Sequence, residues 1–175
     1  MGTQNSRSTF ALLGMLATVL YLIVLPSCNR IPPEYKEFLN LPIDHQRAQL
    51  RTYPIDKQID YYLAATTYVR PPERELGDVV ASNGKEAVPF LVKRLKVEDQ
   101  EHRQISLMYV FEEMNRHYYN LKDEKEALDL LKKVTANMSV QKAPAERVLA
   151  DILENRPSDL RKLKEAHREY FPQSR

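Results

Sequence analysis

The chain has 175 residues, with 26 Lys and Arg against 24 Asp and Glu, for a formal net charge of +2. That length suits one domain, and a balance so near neutral gives no reason to expect a nucleic acid as partner. A single cysteine excludes an intramolecular disulfide, and 4 glycines beside 11 prolines disfavour a turn-rich all-β fold.

Residues 10–25 (FALLGMLATVLYLIVL) carry no charge, and Arg7 is the only charged residue before Cys28. The run is shorter than the roughly 20 residues that span a bilayer as a helix. It matches the apolar core of an export signal better. Pro26 breaks the helical pattern, and small Ser27 precedes the cysteine. Leu25-Pro26-Ser27-Cys28 resembles the lipobox of bacterial lipoproteins, with Pro26 departing from the small or β-branched residue favoured at that position. The resemblance covers the first 28 residues. It implies a diacylglyceryl group on the Cys28 thiol and cleavage between Ser27 and Cys28. The membrane partner would then be held through lipid at Cys28. Buried methylenes contribute about 0.8 kcal/mol each, so two or three acyl chains anchor durably where one does not. The competing readings are an uncleaved signal anchor and N-myristoylation, since Met1-Gly2-Thr3-Gln4-Asn5-Ser6 fits that short pattern.

The lipoprotein resemblance also implies a location. The domain would face the periplasm or the cell exterior. Asn29 follows the cysteine where Asp would signal retention in the inner membrane, which favours the outer membrane where the organism has one. Asn29 to Pro33 reads as extended, because consecutive prolines oppose a helix. The expected division is a signal peptide over 1–27, a lipidated tether over 28–42 and a helical domain over 43–175.

Helical periodicity governs the rest of the chain. A short segment runs from Asp44 to Arg51. The next starts at Asp56, with Ile55, Ile59, Tyr62, Leu63 and Thr66 on one face. Pro71-Pro72 separates it from a third helix carrying Leu76, Val79 and Val80. Asn83-Gly84 marks a left-handed stop. Val88, Leu91, Val92 and Leu95 fall at i, i+3, i+4 and i+7, with Pro89 in the first turn. A polar link over 97–100 leads to a long helix through Met114 or beyond, striped by Leu107, Val110 and Phe111. A sixth helix starts near Asp123 and carries Leu128, Leu131 and Val134. A seventh follows Pro144, with Val148, Leu149, Ile152 and Leu153. An eighth opens at Pro157-Ser158-Asp159 and carries Leu160, Leu163 and Tyr170. No alternating segment competes as a strand. The expected fold is all-α, six to eight short helices stacked as antiparallel pairs.

Gly84-Lys85-Glu86-Ala87-Val88-Pro89-Phe90-Leu91, then Leu95, Asp99, Arg103 and Leu107, resembles a HEAT-type repeat junction over residues 84–114. His102 departs from the small apolar residue expected before the Arg. No second copy recurs at a fixed period, and a solenoid needs about three repeats. The resemblance implies helix-pair stacking and, more distantly, a binding scaffold.

No residue pattern specifies catalysis. His45, His102, His117 and His167 do not share metal-ligand spacing, so no metal or cofactor is expected. Glu113 and His117 lie four apart, the spacing of an exposed acid–base pair on one helix face. Half-buried packing is expected for His167 beside Tyr170. The serines fit neither G-x-S-x-G nor S-x-x-K. Asn137-Met138-Ser139 matches a glycosylation sequon, which matters only on a eukaryotic secretory route. Tyrosines recur at 61, 62, 68, 109, 118 and 119. Tyrosine joins apolar area to one polar handle, which suits interfaces. Tyr62, Tyr68, Tyr109, Tyr118 and Tyr119 are therefore candidate protein-binding residues. The expected function is an anchored, non-catalytic binding or scaffolding lipoprotein whose partner is another envelope protein. The alternatives are an envelope hydrolase assembled from scattered groups such as Glu112, Glu113 and His117, and a lipoprotein that binds its own copies.

Overall fold

The computed structural model describes residues 30–69 and 74–154. The chain divides into Met1–Ile31 and Pro32–Arg175, and the described helices belong to the second unit. The signal segment, Cys28 and the helix expected after Pro157 lie outside the described residues.

The fold is all-α. Among the described residues, eight α-helices follow one another: α1 Pro33–Leu39, α2 Ile43–Leu50, α3 Ile55–Tyr68, α4 Leu76–Ala81, α5 Val88–Val97, α6 Glu101–Glu113, α7 Lys125–Asn137 and α8 Lys142–Glu154. The helices pack in pairs, and the described residues contain no strand. Prolines start the first three. Pro32, Pro42 and Pro54 stand at the N-cap with φ near −55° and ψ between 140° and 151°. A proline there fixes an extended entry and gives up an amide that the helix cannot pair. Pro89 at the start of α5 uses the same tolerance.

One helix was not expected. Residues 33–39, read from sequence as part of an extended tether, form α1. Pro33 sits in its first turn, where proline is compatible with helix. Phe38 and Leu39 are buried. The Tyr61 ring of α3 meets Tyr35 and Phe38 edge-on, with centroids 5.0 and 4.8 Å apart. Its hydroxyl donates to the Glu34 carbonyl at 3.1 Å. Such edge contacts add about 0.5–1.5 kcal/mol each beyond area burial. Residues 33–39 are therefore helical and packed on α3, not extended.

The core gathers around α6, which packs against α3, α4 and α8. Leu107, Met108, Val110 and Phe111 are fully buried there. From α3 come Ile59, Tyr62 and Leu63, and from α5 Leu91 and Leu95. The inward stripe of α8 is Ala145, Val148 and Ile152, while Leu153 is 49% exposed. Tyr62 is 1% exposed, and its hydroxyl donates to the Ser106 carbonyl at 3.0 Å. A buried phenol needs such a partner. Gly77 of α4 lies against that ring: a Cβ there would sit 3.2 Å from two of its carbons.

Two local departures shape the helix ends. Gly84 has φ 58°, the left-handed geometry expected at Asn83-Gly84, and it opens a 3-10 turn over Gly84–Ala87. Asn83 itself is right-handed, at φ −70°. Beyond Glu113 the chain widens into a π turn, Met114–Tyr118, closed by Tyr119 N–H donating to the Met114 carbonyl at 2.8 Å. Asn115 in that turn is buried. Its amide donates to the Ile152 carbonyl at 3.1 Å and accepts from Leu121 N–H at 3.0 Å. Those bonds tie the turn to α8 and fix where Arg116 and Tyr118 emerge.

Candidate functional site

A cleft of about 500 Å³ opens among α2, α4, α6 and α8. On α6 and the π turn, Tyr109, Glu112, Glu113 and Arg116 fall at i, i+3, i+4 and i+7, which places them on one helix face. Arg47 projects from α2, Arg74 and Glu75 from the turn before α4, Asp78 from α4 and Arg147 from α8. Tyr62 contributes to the lining at Gly77, where the missing Cβ leaves room for the ring. The lining thus holds four arginines and four carboxylates.

Part of this charge is paired within the wall. Arg47 reaches Glu75 at 3.5 Å and Asp78 at 3.6 Å. The Tyr118 hydroxyl donates to the other Asp78 oxygen. Burial, with that carboxylate next, raises the Tyr118 phenol well above its ordinary value. The Arg74 guanidinium lies 4.4 Å from the Tyr109 ring centroid. A cation over an aromatic face is favourable and holds the guanidinium in place. Glu112 is half-buried, and its carboxyl is raised chiefly by burial. Arg116 and Arg147 oppose that rise, while Asp151 and Glu113 add to it. A carboxyl raised in this way keeps its proton to a higher pH than an exposed glutamate does.

The candidate tyrosines part company. Tyr62, Tyr109 and Tyr118 converge on the cleft or its wall. Tyr62 is nevertheless core: at 1% exposure it offers a partner almost no contact area. Its place on the Ile59, Tyr62, Leu63 stripe explains that. Tyr68 is half-buried at the end of α3 and does not line the cleft. Tyr119 turns to Glu124, donating at 2.7 Å, and this bond pushes its phenol up to about 12.

Of the three scattered groups, Glu112 and Glu113 line the cleft and His117 does not. His117 Nε2 sits 3.3 Å from Glu113 Oε2, the i, i+4 pair its spacing predicted. Among the described residues, no group of three His, Cys, Asp or Glu side chains is placed to hold a metal ion. No described helix is long and apolar enough to cross a membrane. Sequence reasoning missed Arg47, Arg74, Asp78 and Arg147. Glu75 and Arg116 were missed with them; the residues come from several elements, and the i, i+3, i+4, i+7 spacing of Tyr109, Glu112, Glu113 and Arg116 is a signal that could have marked a shared face. Comparison with protein-family models, with curated proteins and with solved structures finds no match to this chain.

Proposed function

We propose that the chain is a lipid-anchored envelope protein whose helical domain binds a partner through the charged cleft. The observation that carries the binding reading is the cleft itself, a concavity of about 500 Å³ lined from five helices. Its volume falls within the roughly 300–1,000 Å³ of ligand sites. The anchor rests on Leu25-Pro26-Ser27-Cys28 after the apolar run. The HEAT-like junction and the paired helices agree with a scaffold.

A photo-crosslinking residue at Tyr109, in cells carrying the full chain, tests the reading. Tyr109 lines the cleft and is half-buried. A defined adduct is expected from this position and not from Lys133, which is exposed on α7. The adduct should disappear in Cys28→Ala if the partner shares the membrane. Equal adducts from both positions, or none, would contradict the reading.

The hydrolase alternative has one observation in its favour: Glu112 has a raised carboxyl inside the cleft and Glu113 lies beside it in sequence. Such a pair is a candidate acid and base. Hydrolysis of an envelope polymer by the wild type and not by Glu112→Gln would favour that reading over the first.

A further inference from the structure

We infer that the cleft recognises an anionic group, carboxylate or phosphate, through Arg116 and Arg147 with Arg74 beside them. This deepens the binding reading above and rests on the cleft being the binding face.

Among the described residues, three of the four cleft arginines have no carboxylate partner. Arg47 is engaged by Glu75 and Asp78. Among the described residues, no carboxylate comes within ion-pair distance of Arg74, Arg116 or Arg147. Arg74 is instead stacked on Tyr109, an arrangement that orients the guanidinium while leaving its N–H groups available. Arg116 and Arg147 are exposed and act on Glu112 from beyond contact distance. Guanidinium is a planar fork that fits two oxygens of a carboxylate or phosphate at once.

The carboxylates facing this group weaken the opposing case. Asp78 and Glu75 are matched by Arg47. Glu113 has a neighbour in His117, whose Nε2 lies 3.3 Å from its carboxylate. Glu112 and Asp151 remain: Asp151 stands close enough to raise the Glu112 carboxyl, and burial of Glu112 favours its neutral form. A neutral Glu112 would donate a hydrogen bond to an anion instead of repelling it. Arg116 also has a fixed exit, since Asn115 beside it is tied to Ile152 and Leu121. The backbone at Arg116 and the guanidinium of Arg74 are thus held before a ligand arrives, which reduces the entropy lost on binding.

The test is calorimetric titration of the full-length chain in detergent micelles with pyrophosphate and, separately, with citrate. Saturable binding of at least one is expected, weakening as salt is added. Arg116→Ala with Arg147→Ala should weaken it about tenfold or more, because a hydrogen bond to a charged group contributes roughly 1.5–3 kcal/mol. Both side chains are exposed, so the fold should survive. Lys133→Ala, on the exposed face of α7, should change nothing. Preference for pyrophosphate would assign a phosphate-bearing ligand, and preference for citrate a carboxylate-bearing one. Binding of neither, or binding that the double variant leaves unchanged, would overturn the inference. If Tyr109 still cross-links a partner in that case, the binding reading stands and the anion assignment alone falls.

Discussion

Ser139 holds Glu101 with two hydrogen bonds, N–H and Oγ–H each 2.7 Å from the same carboxylate oxygen. The other oxygen accepts from Val140 N–H and Gln141 N–H, both at 2.8 Å. Glu101 opens α6, and the four donors form the turn that leads into α8. One side chain therefore satisfies three successive amides of the turn entering α8 and joins that turn to α6, the helices that frame much of the cleft.

These bonds lower the Glu101 carboxyl from an ordinary 4.5 to about 2, the Gln141 and Ser139 amides leading. A group lowered on folding stabilises the fold above its unfolded value and loses that contribution as pH falls through its folded value. The Glu101 contribution is thus complete above pH 4.5 and fades towards about pH 2. Glu101→Gln should lower Tm at pH 7 and flatten the loss of stability between those limits. Thermal melts across the pH series will show both, and parallel curves for the two proteins would contradict the assignment.

Gly77→Ala should destabilise the protein although it sits in a helix. Alanine gains about 1 kcal/mol of helix propensity over glycine. Against that, the new Cβ lies 3.2 Å from the Tyr62 ring. Tyr62 is fully buried and bonded to Ser106, so it cannot yield freely. Overpacking of this kind costs about 1–3 kcal/mol. Denaturant melts should show a lower midpoint, and a higher one would mean that the ring moves easily.

Asn115→Ala removes the bonds from the π turn to Ile152 and Leu121. It leaves the Leu121 amide without its acceptor and the Ile152 carbonyl without that donor at buried positions. Each group left unsatisfied costs about 1–3 kcal/mol. Asn115→Asp keeps an acceptor for Leu121 and loses the donor to Ile152. It should therefore be destabilised as well. Chemical denaturation measures both, and an unperturbed Asn115→Ala protein would show that the turn is held by packing alone.

Tyr61→Ala should release α1 selectively. The ring supplies edge contacts to Tyr35 and Phe38, and the hydroxyl bonds to Glu34. Hydrogen exchange should rise over Pro33–Leu39 and stay slow in α6, because local opening follows local contacts. Uniform loss of protection would indicate that α1 is integral to the core.

The helical stripes were readable because their side chains repeat at 3.6 residues and prolines punctuate them. Leu91, Val92 and Leu95 on α5, and Leu107, Val110 and Phe111 on α6, are all buried as their spacing requires. Helix α1 was not readable. Pro32-Pro33 looks like a breaker, yet Pro33 falls in the first turn, and the helix is held by contacts with Tyr61, distant in sequence. The cleft was half readable. Tyr109, Glu112, Glu113 and Arg116 share one face by spacing, but Arg47, Arg74 and Arg147 join them only through tertiary packing. Tyr62 satisfied two patterns at once, an apolar stripe and a tyrosine-rich surface, and burial decided for the stripe. The π turn carries no periodic signal, since its widening depends on Asn115 finding partners in α8 and the following turn.

The central claim is that this helical domain is held on a membrane by lipid at Cys28. The most direct test is the intact mass of the protein extracted from membranes, beside Cys28→Ala. Loss of residues 1–27 with added diacylglyceryl mass, abolished by Cys28→Ala, is the predicted result. An uncut chain with a free Cys28 thiol would contradict the account and make residues 10–25 a retained membrane anchor.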